Sequence, residues 1–258
     1  MNNTGYNAYI KNYLDNDKTK SAIMLIAPWG MGKSYYIQNS LIPYLEEDGG
    51  KRCVVVSLYG MNDVKDISKA IYLEIRANAV VCKGEKYTAG KIVGKTILKG
   101  VLSKVGIDLS LEEQDLEKLY SSIDLTDRLV ILEDLERSGI NIKQVLGYVN
   151  NLVEQDGAKV LLVANEKEIR QYEPIISKDK DGKETTKWVY TAETEEYLKI
   201  KEKTVSDTIP YLCNYDVAIE NIIKMFSDFN LCLCLKDKDK YGRLTILLEI
   251  KDIMDSLK

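Results

Sequence analysis

Residues Ala27 to Ser34 read APWGMGKS, a set of types and spacings that suits phosphate chemistry. They follow G-x-x-x-x-G-K-[ST] everywhere but the first position, where Ala27 stands in place of glycine. In such a loop Gly30 and Gly32 let the backbone turn tightly, so that amide N–H groups can line an anion. Lys33 would reach the β- and γ-phosphates of a nucleotide, and the Ser34 hydroxyl would bind Mg²⁺. Pro28, Trp29, Met31 and Tyr35 complete the stretch expected to lie along the nucleotide. The competing explanation is a chance turn carrying GKS, which residue frequencies put on the order of a few per cent for a chain this long.

A later apolar run ends in carboxylates. The segment RLVILEDLER (128–137) offers Glu133 and Asp134, with Glu136 close behind. Carboxylates closing a strand can hold Mg²⁺ and orient an attacking water, so both are candidate metal ligands and candidate catalytic groups. Such pairs ordinarily place aspartate first. Here glutamate leads, and the sequence leaves open which carboxylate takes the metal and which the water. The bland alternative is an acidic helix start favoured by the helix dipole. A third polar tip is Asn165, which closes VLLVAN and would position water beside the γ-phosphate. Asparagine is also common where strands simply end.

Composition narrows the chemistry further. The chain of 258 residues contains no histidine, which excludes Ser-His-Asp and Cys-His catalysis and histidine-ligated zinc. Carboxylates, lysine, backbone amides and a hard metal remain, the toolkit of phosphoryl transfer. The 5 cysteines show no metal spacing, and Cys232 and Cys234 alternate with leucine as packing residues do. A reduced, cytoplasmic protein without a disulfide framework is expected. The net charge of -4 gives no general attraction to nucleic acid, and the 17 tyrosines are scattered, so direct DNA or RNA binding is not expected. No stretch approaches the ~20 apolar residues that span a bilayer, and the N-terminus lacks a signal peptide's apolar core.

These groups need elements to hold them. SAIMLIA (21–27), RCVVVSLYG (52–60), RLVIL (128–132) and AKVLLVAN (158–165) are continuous apolar runs, the pattern of strands buried on both faces. Between them SYYIQNSLIPYLEED reads as a helix, as does MNDVKDISKAIYLEIRANAV with Asp63 as its cap, and then IKQVLGYVNNLVEQ. A further short helix is expected over residues 6–15. Strands alternating with helices predict an α/β fold, a three-layer α/β/α arrangement around a mostly parallel sheet. The segment 177–187, SKDKDGKETTK, reads as a charged turn or loop. Beyond about 205 the pattern reads as helical, so a core over 1–205 and a helical lid over 206–258 are expected.

With these motifs placed, the chain resembles the KAP family of P-loop NTPases, a STAND-like branch of the ASCE ATPases. The resemblance rests on PWGMGKS, on VILEDLERS with Arg137 at the signature arginine, and on VVVSLYGMNDVKDI, over roughly residues 5–170. It implies ATP and Mg²⁺ as cofactors, Lys33 and Ser34 as their ligands, Asp134 as activator of water with Glu133 nearer the metal, and Asn165 as a sensor asparagine. The segment YGRLTILLEI is similar to the family's lid, which would make Arg243 a nucleotide contact. The family tolerates alanine at position 27. Its bacterial members often carry a pair of transmembrane helices between the two motifs, but here residues 80–112 are too short and too lysine-rich to span.

Within that insertion Ile92, Val93, Ile97, Leu98, Val101, Leu102 and Val105 can form an apolar stripe with lysines off it. Packing against the chain's own domain is the first reading, and peripheral membrane contact through about 90–105 or a contact with a partner the second. The leading functional expectation is an ATP-binding and hydrolysing module whose nucleotide state controls a protein partner, a further copy or a neighbouring domain. The resemblance implies bacterial anti-phage defence or signalling. The alternative is a nucleotide-gated switch with negligible turnover; a small-molecule kinase ranks third, since no acceptor-binding motif stands out.

Overall fold

The computed structural model describes residues 3–47, 52–81, 124–178 and 184–213. In chain order come helix α1 (Asn3–Asp15), strand β1 (Ala22–Ile26), helix α2 (Lys33–Tyr36), a π turn (Ile37–Leu41), helix α3 (Ile42–Glu46), strand β2 (Arg52–Ser57) and helix α4 (Val64–Val81). There follow strand β3 (Arg128–Glu133), a 3₁₀ turn (Leu135–Arg137), helix α5 (Ile142–Glu154), strand β4 (Lys159–Ala164) and helix α6 (Glu166–Ile169). Strands β5 (Tyr172–Lys178) and β6 (Glu184–Tyr190), helix α7 (Ala192–Thr204) and strand β7 (Val205–Pro210) complete the described part.

Five of the strands form one sheet in the order β2-β3-β4-β1-β7, and every pairing in it is parallel. The register sets Ile23 beside Leu161, Val130 beside Val160 and Ser57 beside Glu133. Central β4 is buried along its whole length, as its unbroken apolar run requires. On one face Met24, Val56, Leu132 and Leu162 join a core with Ile67 and Ile71 of α4 and with Val145, Leu146 and Val149 of α5. The alternate residues Ile23, Leu25, Ile131, Leu161 and Val163 are buried too, so both faces are covered. This is the expected α/β architecture, with helices flanking a parallel sheet.

The helix expected after the phosphate loop forms, but with a π turn in it. Pro43 has no N–H to give to the carbonyl of Asn39, and its ring would crowd that carbonyl, so the helix widens just before it. Buried Asn7 of α1 donates to the Ser40 carbonyl and hydroxyl and accepts from the Tyr36 hydroxyl, which pins the widened turn. At the start of α4, Asp63 caps as expected, its carboxylate accepting from the Lys65 N–H at 2.9 Å.

Two expectations change. The segment 177–187 is not simply a loop: β5 and β6 pair antiparallel from Tyr172↔Tyr190 to Lys178↔Glu184. Tyr172, Ile176 and Trp188 lie exposed on this hairpin. Second, the helical pattern expected beyond about 205 begins with a strand, because β7 adds to the outer edge of β1. The sheet therefore reaches Pro210, a few residues past the expected core boundary at 205. Residues 1–212 and 213–258 separate as two compact units. Residues 214–258, and with them most of the expected lid, lie outside the described residues, as does most of the 80–112 insertion. Among the described residues, no helix is long and apolar enough to cross a membrane.

Leu161 sits at the centre of the sheet with no solvent exposure. Leu161→Ala is expected to cost about 2–5 kcal/mol of unfolding free energy, measured by denaturant titration; a cost below about 1 kcal/mol would place the core elsewhere.

Candidate nucleotide site

Because all the pairings are parallel, the C-terminal ends of β1, β4 and β3 share one edge of the sheet. The phosphate loop leaves β1, Asn165 follows β4, and Glu133 closes β3 with Asp134 just beyond. The loop is tied to its neighbour where it starts, the Ala27 N–H donating to the Ala164 carbonyl at 3.1 Å. Gly30 and Gly32 both take left-handed backbone, with φ of 78° and 77°. A Cβ at either position would meet nothing within 4 Å, so conformation rather than space requires glycine there.

Lys33 turns back onto its own loop. Its ammonium donates to the carbonyls of Ala27 at 2.7 Å and Pro28 at 3.2 Å. Burial pushes the Lys33 ammonium below the usual lysine value, while the carboxylates of Glu136, Asp134 and Glu133 pull the other way and Arg137 adds to the depression. A partly desolvated cation held by neutral carbonyls, with carboxylates nearby, is a group that phosphate oxygens would satisfy better.

The acidic tip is shaped by its backbone. Glu133 is buried as the last residue of β3. Asp134 has φ 59° and ψ 39°, the only non-glycine residue with positive φ among those described. That conformation costs on the order of 1 kcal/mol, and aspartate is one of the few residues that tolerates it. It ends the strand abruptly and turns the chain into the 3₁₀ turn. One Asp134 carboxylate oxygen accepts from the Ser57 hydroxyl at 2.7 Å.

The two signature segments touch each other. The Trp29 indole N–H donates to a Glu136 carboxylate oxygen at 2.7 Å. The Arg137 guanidinium lies 5.0 Å from the Trp29 ring centroid and 5.9 Å from that of Tyr59, within cation–π range of both. Trp29 is still 49% exposed, so this is a surface clamp between the phosphate loop and the acidic tip rather than core.

Asn165 is 4% exposed, and its side-chain oxygen is buried without a hydrogen-bond partner. A buried acceptor left open at this edge fits a site that takes a donor such as water. The next residue, Glu166, is buried against α7, accepting from Lys201 at 2.5 Å and Tyr197 at 3.0 Å, and it pairs with Arg170 at 2.8 Å. Burial alone would raise the Glu166 carboxyl; the hydrogen bonds from Lys201, Arg170 and Tyr197 outweigh it and hold the carboxyl below its usual value. This cluster anchors the chain immediately after Asn165.

Of the residues singled out in the sequence, Pro28, Trp29, Gly30, Met31, Gly32, Lys33, Ser34 and Tyr35 lie on the loop and the start of α2, while Glu133, Asp134 and Asn165 lie at the neighbouring strand tips. Arg243 is outside the described residues. Among the described residues no three His, Cys, Asp or Glu side chains cluster as a metal cage. The sequence reading did not single out Ser57 or the Glu166 cluster. Ser57 ends an apolar run, but only the β2–β3 register puts it beside the acidic tip.

A glycine-turned loop leaving the inner strand of an all-parallel sheet, with its lysine facing acidic strand tips, defines a P-loop nucleotide-binding domain. The model of the KAP family P-loop domain matches residues 3–206, and the chain belongs to that family of P-loop NTPases. Comparison with curated proteins returns no match.

The Glu166 cluster generates a stability prediction. A carboxyl held below its ordinary value of 4.5 stabilises the fold fully above that pH, and the contribution is lost as the pH falls through the folded-state value. Glu166→Ala, which strands the buried Lys201 ammonium, is expected to cost roughly 3–5 kcal/mol at neutral pH. Its acid-unfolding limb should also be flatter than that of wild type. Equal stability and equal acid limbs in thermal melts would contradict the assignment.

Proposed function

We propose that the chain is a Mg²⁺-dependent ATPase module whose nucleotide state controls a partner chain or a neighbouring domain. The carrying observation is Lys33, partly desolvated on the Ala27 and Pro28 carbonyls beside an acidic edge that it would exchange for phosphate. Membership of a P-loop NTPase family supports nucleotide binding and, at the level of the class, hydrolysis. ATP is favoured over GTP because no N/T-K-x-D base-reading segment stands out in the sequence.

In this reading Lys33 and the loop amides hold the β- and γ-phosphates, with Pro28 to Tyr35 lining the nucleotide. Ser34 and Glu133 would hold Mg²⁺, which would supply charge neutralisation at the phosphates. Asp134 orients and deprotonates the attacking water, and the open acceptor of Asn165 takes a hydrogen bond from that water. Arg243 would reach the nucleotide from a helical lid over 206–258. The setting is cytoplasmic, in anti-phage defence or signalling, with a protein partner or a further copy receiving the output.

A switch with negligible turnover is the second reading. The inverted Glu133-Asp134 order favours it. Phosphate release with Mg²⁺-ATP separates the two. Lys33→Ala is expected to lower the rate about 100-fold or more, and chelation of Mg²⁺ to abolish it. Tight calorimetric binding with equally slow release from wild type and Lys33→Ala would leave only the switch. Absence of binding would remove both.

A further inference from the structure

Resting on that hydrolytic reading, we infer that Ser57 is the positioning residue for Asp134. Three observations carry it. Ser57 is the last residue of β2, set opposite Glu133 in a parallel register, which puts its hydroxyl level with the acidic tip of β3. That hydroxyl accepts from the Tyr59 N–H at 3.3 Å, so its own proton is committed to the Asp134 carboxylate 2.7 Å away. Asp134 itself stands in left-handed backbone, a conformation that must be held by its surroundings.

The surroundings do hold it. The Leu58 N–H donates to the Glu133 carbonyl at 2.8 Å, and the Gly139 N–H to the Met61 carbonyl at 2.8 Å, lacing the segment after β2 to the segment after β3 on both sides of Asp134. The Ser57 hydrogen bond then fixes the remaining freedom, the rotation of the carboxylate. It uses one oxygen, Oδ2, and leaves the carboxylate with lone pairs for a water. A carboxylate oriented before substrate arrives need not be ordered during the reaction, which is how a distant hydroxyl raises a rate without touching substrate. Ser57 thus acts through Asp134 and not on the nucleotide.

The test is a double-mutant cycle on steady-state ATP hydrolysis, with melting temperature and calorimetric ATP binding as controls. Ser57→Ala is expected to lower kcat about tenfold or more, leaving KM and affinity within about threefold. Ser57→Thr, which keeps the hydroxyl and suits a strand, should retain at least about half of wild-type kcat. In the Asp134→Asn background, Ser57→Ala should have no further effect, because the group it positions is gone. An unchanged or raised kcat in Ser57→Ala, a Thr variant as slow as Ala, or an additive cycle each overturns the assignment while hydrolysis itself stands. A wild-type chain that binds ATP and releases no phosphate overturns the hydrolytic reading and this assignment with it.

Discussion

Parallel pairing is the constraint on which everything else depends. Each strand of the sheet runs the same way, so the loops that follow β1, β2, β3 and β4 all emerge at one edge. Because β4 lies between β1 and β3, the phosphate loop, Asn165 and the Glu133-Asp134 tip stand in a row rather than being scattered. A shift of any strand by one residue would turn these tips to the other face. The continuous burial of β3 and β4 makes such a shift costly.

Within that edge, local backbone decides what each group can do. Gly30 and Gly32 supply the left-handed turns of the loop, and Asp134 adopts the same region without glycine's freedom. Trp29, Glu136 and Arg137 then join the loop to the acidic tip through an indole hydrogen bond and a guanidinium over the ring. The clamp gives a physical reason for these residue types to occur together: the tryptophan of the first motif and the arginine of the second are parts of one contact. On the other side of the row, Glu166 with Lys201, Tyr197 and Arg170 anchors the chain after Asn165.

The parts legible in the sequence were those that bury strongly. β1, β3 and β4 are unbroken apolar runs, and the GKS spacing marks the loop by itself. β7 escaped because VSDTIP buries only Val205 and Ile209, as an edge strand can, and so shows no strand pattern. The hairpin escaped because lysine, aspartate and glycine between Lys178 and Glu184 read as loop, while its strands face solvent on both sides. The hydrogen bonds of Ser57 and Glu136 were out of reach for a different reason. Their partners, Asp134 and Trp29, are 77 and 107 residues away in sequence, and only the strand order brings them together.

The proposed activity turns on Lys33 exchanging loop carbonyls for phosphate. The most direct test is a crystal structure of the chain with Mg²⁺ and a non-hydrolysable ATP analogue. The account predicts that the Lys33 ammonium leaves the Ala27 and Pro28 carbonyls and bonds phosphate oxygens, with the Mg²⁺ beside Ser34 at the acidic edge. An analogue bound elsewhere, with Lys33 still seated on those two carbonyls, would contradict it.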